Sequence, residues 1–297
     1  MFGFGRKQIK ISVITWDASF REHFHTVDFF GRQRYPKEKF EFIWVDFHKN
    51  DNPLLLEKIS QYSNARILNL NNNRSEKWHL GKCINEGVRQ SSGELLVIPD
   101  GDIAVDEDFL SYVWDQHQAS DDLVMYFRRY DEQETDKNSR EDVASLKKVC
   151  KLSHPLNYGG CLTIRKEHFE TIKGYETHPV FAGPGMNGME TYTRLRNAGL
   201  CIKWAKGKNI YHPWHTNTLG SGISLAYKHE IKCLRWAKAV FPWINPGHFE
   251  QSWIVFCRER NLTYQANYDE CNVLLKNIPD IDMDSYAKVE EFFSLSR

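Results

Sequence analysis

The sequence predicts an α/β fold, a mostly parallel sheet flanked by helices, with a helical C-terminal extension behind it. Three observations predict it. Short apolar runs alternate with helical patterns over about 120 residues, as in a doubly wound sheet. Acids follow predicted strands at Asp17, Asp46 and Asp100. One run, Leu95 to Ile98, stops abruptly at Pro99-Asp100-Gly101-Asp102, a buried strand ended by a turn. In an open α/β sheet the ligand crevice lies outside the strands' carboxyl ends. Three acids at three strand ends therefore point to one site.

Taken in order, Ile9 to Trp16 reads as the first strand, with Ile9, Ile11 and Val13 on one face. Ser19 is placed to cap a helix over Phe20 to Phe30, whose Phe20, Phe24 and Val27 recur at helical spacing. Phe40 to Val45 is the second strand. Asn52-Pro53 opens a helix to about Tyr62, with a capping side chain and Pro at the first helical position. Ala65 to Leu70 is the third strand. Ser75 is read as the cap of a helix to Gln90, ended by Ser91-Ser92-Gly93. After the fourth strand, Asp106 is read as the cap of a helix carrying Phe109, Leu110, Val113 and Trp114. Leu123 to Tyr130 is a strand, and Asp131 to Asp142 is a polar, solvated loop. Gly159-Gly160 leads into a strand through Ile164, and Arg165 to Lys173 into a short helix. A glycine-rich loop, Gly183 to Gly188, precedes a helix from about Met189 to Asn197. Leu200 to Trp204 and Asn209 to Tyr211 are short strands. Leu225 to Phe241 is a basic amphipathic helix, and Ser285 to Leu295 a last one.

Composition bounds the reading. The 297 residues suffice for one large α/β domain or two small ones. Net charge is zero, so no global charge favours nucleic acid. Seven Cys, an odd number without a CxxC pair, argue against a disulfide framework and a structural zinc site, and for a reducing compartment. The start, MFGFGRKQIKIS, lacks an apolar export region, and no run is long enough to span a bilayer. The expected location is cytoplasmic. The basic helix at Leu225 to Phe241 is read as packed on the domain with a solvated face; peripheral membrane contact is the alternative.

The chemistry-bearing residues follow from position. Asp100 and Asp102 offer oxygen donors suited to Mg²⁺ or Mn²⁺, which also bind substrate phosphates. Gly101 lets the backbone approach a ligand closely. Asp-Gly is also an ordinary turn, and strand-end acids are often merely solvated. Neither GxGxxG nor a Walker A sequence occurs, so those phosphate cradles are absent. Between Glu176 and Glu230 the only carboxylate is Glu190; a base supplied by this segment must be Glu190. His212-Pro213-Trp214-His215 is followed by a glycine-rich, polar stretch, Thr216 to Gly222, the composition a closing lid needs.

The order of these features resembles the GT-A glycosyltransferases, especially family-2-like enzymes. Four patches carry the resemblance: Ile11 to Thr15; Ile43-Trp44-Val45-Asp46; Leu80 to Val88 with Asn85, running on through Ser92 to Asp102; and Gly159 to Gly199 with His212 and His215. It implies a Rossmann-like GT-A domain over residues 1–222, with a nucleotide-sugar half (9–105) and an acceptor half (106–222), and leaves 223–297 as the extension. It implies that Asp100-Gly101-Asp102 is a DxD metal motif completed by His212 or His215, holding Mn²⁺ or Mg²⁺. It implies nucleotide contacts from Thr15, Asp17, Asp46, Asn85, Asp100 and Gly101, with Lys82 supplying charge toward the diphosphate, and Glu190 as base. Trp214 closes over the donor. The chain departs from the family where a Glu-Asp pair often precedes the acceptor-side helix, here Gly188-Met189-Glu190-Thr191, and at Ile84, where an Arg is frequent.

The implied activity is transfer of a sugar, with inversion, from a nucleoside diphosphate donor (a UDP-sugar) to a hydroxyl of a glycan or lipid-linked glycan, in polysaccharide synthesis. Two rivals stand. A sugar nucleotidyltransferase resembles others of its kind in a glycine-rich, basic loop after the first strand; here that loop is Trp16-Asp17-Ala18-Ser19-Phe20. A non-catalytic carbohydrate-binding protein on a decayed transferase fold is the other.

Overall fold

The structure is a computed structural model that describes residues 9–134, 142–177, 182–183 and 187–215. The loop at Thr216 to Gly222 and the helices expected in 223–297 lie outside the described residues.

A seven-stranded sheet forms the centre. Its strands are β1 (Ile11–Asp17), β2 (Phe40–Asp46), β3 (Ala65–Asn69), β4 (Leu95–Pro99), β5 (Leu123–Tyr126), β8 (Cys161–Arg165) and β9 (Cys201–Trp204), in the order β3-β2-β1-β4-β8-β5-β9. Pairing is parallel except at β8, which runs antiparallel to β4 and β5. A second sheet, in the order β10-β6-β7, joins β10 (Ile210–His212), β6 (Arg129–Asp131) and β7 (Lys151–His154).

Strands β1, β2 and β4 are near-continuous apolar runs because both faces of the sheet are covered there. Side-chain alternation divides them. Ile11, Val13, Phe42, Trp44, Leu95 and Val97 pack on one face, against Phe24, Val27 and Phe30 of α1 and its approach (α1 is His25–Gly31), Leu55 of α2 (Pro53–Ser60), and Phe109 and Val113 of α4 (Phe109–Gln118). Ile14, Trp16, Ile43, Val45, Leu96 and Ile98 pack on the other. They meet Cys83, Ile84 and Val88 of α3 (Leu80–Arg89), Phe169 of α6 (Lys166–Thr171) and Leu195 of α7 (Asn187–Asn197). The result is the expected three-layer domain.

The helix at Asn52-Pro53 begins as read, the Asn52 side chain accepting from the Leu54 N–H. Three other expected caps do not form, because each side chain has a partner elsewhere. Ser19 adopts a positive φ and hydrogen-bonds Asp46, so α1 starts only at His25. Ser75 bonds Asn73, and α3 starts at Leu80. The Asp106 carboxylate pairs with Lys147, and α4 starts at Phe109. The strand read over Leu123 to Tyr130 is two, β5 and β6. Helix α5 (Val143–Val149) and β7 follow in the stretch that carried no expected element. Among the described residues no helix is long and apolar enough to cross a membrane.

One buried titratable group gives the fold a pH dependence. His117, on α4, is fully buried with Nε2 2.9 Å from Thr163 Oγ1. Burial, assisted by the Arg165 and His168 charges, pushes its pKa down from 6.5 to about 4. The folded ring stays neutral where the unfolded ring protonates, so stability present above pH 6.5 is lost as pH falls toward 4. At pH 5 the loss is about 2 kcal/mol. Denaturant melts at pH 7.5 and 5.0 should show this difference in wild type and a smaller one in His117→Gln; equal pH dependence in the two would refute the assignment.

Candidate active site

The carboxyl ends of β1, β2 and β4 open on the same edge of the sheet. The register sets Asp17 beside Asp46 and Asp46 beside Asn69. Both acids are fully buried. Asp46 accepts from the Ser19 N–H (2.8 Å) and Oγ (2.8 Å), the His48 N–H (2.9 Å) and Asn50 Nδ2 (3.1 Å). Asp17 accepts from the Ala18 N–H (2.7 Å) and Asn50 Nδ2 (3.2 Å). As folded, these carboxylates shape the loops behind β1 and β2 rather than project into open space. Burial pushes Asp17 up to about 6, against the pull of Arg21 and with the repulsion of Asp46. Thr15 sits deeper, fully buried, its Oγ1 without a hydrogen-bond partner.

Beyond β4 the chain turns through Asp100-Gly101-Asp102. Asp100 Oδ1 accepts from Trp16 Nε1 at 3.3 Å, and the Asp100 N–H donates to Gly160 O at 2.9 Å. Burial and the charge of Asp102 raise the Asp100 pKa. Ala104 then exchanges two backbone hydrogen bonds with Tyr211 on β10, at 2.7 and 3.0 Å. That bridge carries residues 110 positions away to the turn. His212 Nε2 and His215 Nε2 come to 3.7 and 3.6 Å from Asp102 Oδ2, and 3.1 Å from each other. Behind His212, its Nδ1 lies 3.9 Å from Asp131 on β6. Behind the pair, the Trp214 N–H donates to Glu132 at 3.0 Å.

Asp102, His212 and His215 each offer one donor atom, all within 4.8 Å of one another. A single ion about 2.0–2.2 Å from each can bridge such a set. The residues therefore fit a divalent metal, and two imidazoles with one carboxylate suit Mn²⁺ better than Mg²⁺. Asp100, expected as a further ligand, stands outside this set with one oxygen given to Trp16.

The cation now on the site is Arg21. Its Nη1 donates to Asp102 Oδ2, its Nε lies 3.9 Å from Asp17 Oδ1, and its side chain is 8% exposed. Burial disfavours the charge of Asp102, but the guanidinium and the two imidazoles outweigh it and hold the carboxyl well below the usual range. Gly101 leaves room for this arrangement: a Cβ would lie 2.7 Å from Arg21 Nε and 3.1 Å from the Trp16 carbonyl. Arg21 also stacks on Phe20 and Trp16, 5.3 and 5.7 Å from the ring centroids, and Trp16 packs on Trp78 at 4.9 Å.

Three other expected site residues have different surroundings. Lys82 is exposed on the first turn of α3. Asn85 is clamped to the backbone of Tyr175, donating to its carbonyl and accepting from its N–H, both at 2.8 Å; it ties α3 to the turn at Gly174. Glu190, expected as the base, lies inside the fold. It is 1% exposed, and both its oxygens accept from the fully buried Arg194 guanidinium, at 2.5 and 2.8 Å. Arg194 in turn donates to Ile172 O at 2.5 Å, fastening α7 to the end of α6.

On the far side of the crevice, beyond Gly160, lies an aromatic wall. Tyr126 and Trp204 end the paired strands β5 and β9 with ring centroids 5.3 Å apart, and Tyr158 lies 4.7 Å from Tyr192. Tyr158, Tyr192 and Trp204 are half-buried. Gly188 packs on the Tyr158 carbonyl so closely that a Cβ would lie 2.4 Å from it, which explains why no side chain stands at that point of α7.

A sequence model of the family described as glycosyl transferase family 2 matches residues 26–173. This match supports a family-2-like glycosyltransferase. Solved structures agree on the GT-A fold. S. aureus TarS 1-349 in complex with UDP is similar at 17% identity and a TM-score of 0.57, with 86% of this chain and 73% of that chain covered. The same TarS piece with UDP-GlcNAc gives 18% identity and a TM-score of 0.57, over 82% and 70%. The mannosyltransferase PcManGT from Pyrobaculum calidifontis, in complex with GDP-Man and Mn²⁺, gives 13% identity and a TM-score of 0.56, over 96% and 80%. No curated protein sequence matches. Arg21, Glu190 and the two His lie outside the span matched by the family model, so their roles rest on the geometry above.

The Glu190–Arg194 pair makes a sharp prediction. Glu190→Gln leaves a buried guanidinium short of its partner and should lower stability by about 3–5 kcal/mol, read as a depressed Tm, with activity falling in step with folded protein. A variant with wild-type Tm and abolished turnover would return Glu190 to the role of base.

Proposed function

We propose that the protein transfers a sugar from a nucleoside diphosphate donor, UDP-linked, to a hydroxyl of a glycan or lipid-linked glycan, by single displacement with inversion, the nucleoside diphosphate leaving as the new bond forms and the hydroxyl proton passing to solvent. The observation that carries this reading is the convergence of Asp102, His212 and His215 at the carboxyl end of β4. A divalent metal held by these three would act as a Lewis acid toward the leaving diphosphate. The donor reading draws support from the UDP and UDP-GlcNAc bound by TarS; PcManGT, with GDP-Man, makes a guanosine donor the one to test beside it.

The chain's own residues divide the work along the sheet edge. Asp17 and Asp46 fix the loops at Ser19 and Asn50, which line the nucleotide end. Trp16 orients Asp100, and Gly101 admits Arg21 to the diphosphate region. Tyr158, Tyr192 and Trp204 offer ring faces on the opposite side, a surface suited to the apolar face of an acceptor sugar. Trp214, held through Glu132, stands where a closing segment would exclude water that otherwise hydrolyses the donor.

A second reading, a carbohydrate-binding protein without turnover, is favoured by one observation: the acid nearest the start of α7 is locked to Arg194. UDP release separates the two. Purified protein with a panel of UDP-sugars, GDP-mannose and acceptor glycans should release nucleotide from one donor in the presence of Mn²⁺. Asp102→Asn should reduce that rate, measured per folded molecule, on the order of 10²-fold or more. Full activity in Asp102→Asn would contradict the proposed metal site; Mn²⁺-dependent nucleotide binding without release would establish the second reading.

A further inference from the structure

Arg21 and a divalent cation have claims on the same atom. The Arg21 guanidinium donates to Asp102 Oδ2, and that oxygen is also the one nearest His212 Nε2 and His215 Nε2. Two cations a few ångströms apart repel strongly in a half-buried site. A charge-assisted hydrogen bond to Oδ2 also uses the lone-pair density a metal would take. The two occupancies are alternatives.

Arg21 is also under-used. A guanidinium carries five N–H donors in a planar fork. Among the described residues Arg21 makes one hydrogen bond, to Asp102, and its buried Nε has none. Three acids surround it: Asp102, Asp17 and Asp100, all of which favour its charged form. It rests on the faces of Phe20 and Trp16 without a specific polar tether there. The residue belongs to the non-helical segment between β1 and α1, so its side chain can reorient without breaking helical hydrogen bonds.

We propose that Arg21 is an exchangeable counter-ion. It neutralises Asp102 in the free protein. When the metal arrives with the donor, Arg21 yields Oδ2 and turns its fork to the diphosphate oxygens, a geometry guanidinium groups match well. This rests on the metal-dependent transferase reading above. It adds a coupling: the free site resists a lone metal ion, and metal and diphosphate bind well only together.

The test is Mn²⁺ binding to the full chain, followed by the electron paramagnetic resonance signal of free Mn²⁺, without nucleotide and then with UDP. Removing the competitor in Arg21→Met should tighten Mn²⁺ alone on the order of tenfold, and weaken UDP binding at saturating Mn²⁺ on the order of tenfold, the size of a hydrogen bond to a charged group. Arg21→Gln should behave alike and guards against a folding defect peculiar to Met. Mn²⁺ affinity unchanged or weakened in both neutral variants overturns the proposal, as does tightened Mn²⁺ with unchanged UDP. In wild type, side-chain ¹⁵N resonances should show the Arg21 Nε signal moving on addition of Mg²⁺ with UDP; an unmoved signal also overturns it. Asp102→Asn separates the levels: loss of Mn²⁺ binding there keeps the metal site whatever Arg21 does, whereas wild-type Mn²⁺ affinity in Asp102→Asn removes the metal site itself.

Discussion

Negative charge at one edge of the sheet is the constraint on which the rest of the site depends. Asp17, Asp46, Asp100 and Asp102 stand at or just beyond the ends of three adjacent strands, and ionised carboxylates in a poorly solvated setting repel one another and resist burial. The protein answers in two ways. At the β1 and β2 end it surrounds the acids with neutral donors: the Ser19 and His48 N–H groups, the Ser19 hydroxyl and the Asn50 amide. At the β4 end it brings positive or proton-donating groups, Arg21, His212 and His215, onto Asp102. The first end becomes a rigid frame. The second gathers one guanidinium and two imidazoles on a single carboxylate.

That gathering depends on a small piece of backbone architecture. Two hydrogen bonds between Ala104 and Tyr211 pin β10 against the segment leaving Asp102. The three-stranded sheet behind it places Asp131 next to His212 and Glu132 under Trp214. A carboxylate behind a ligating imidazole orients the ring and its tautomer. His212 is therefore delivered by strand pairing and supported from behind, and His215 follows three residues past the end of β10.

Much of this was legible in the sequence, and for a physical reason. Parallel strands buried on both faces must be apolar throughout, so β1, β2 and β4 stand out as runs, and the acids that end them mark the crevice. His212 and His215 could be singled out by type and order. What remained hidden depends on partners that sequence patterning does not reveal. Ser19, Ser75 and Asp106 have the chemistry of helix caps, but Asp46, Asn73 and Lys147 hold them elsewhere. The strands β6 and β7 are three and four residues long and partly polar, too short for an alternation signal. Glu190 was visible as a lone acid, yet its meaning lay four residues on, at Arg194, a spacing that favours an ion pair on one helical face. Arg21 was the clearest omission. A single arginine just behind an acidic strand end, in a loop otherwise without positive charge, is the signal that could have revealed it, whereas Lys82 drew attention by analogy and lies exposed.

The central claim is that Asp102, His212 and His215 together hold a metal at the diphosphate. A crystal structure of the full chain with UDP and Mn²⁺, recorded at the manganese absorption edge, tests it most directly. The account predicts one anomalous peak bounded by Asp102 Oδ2 and the two Nε2 atoms, with a diphosphate oxygen beside it. A peak held by Asp100 alone, or UDP bound with Arg21 still on Asp102 and no manganese between the histidines, would contradict it.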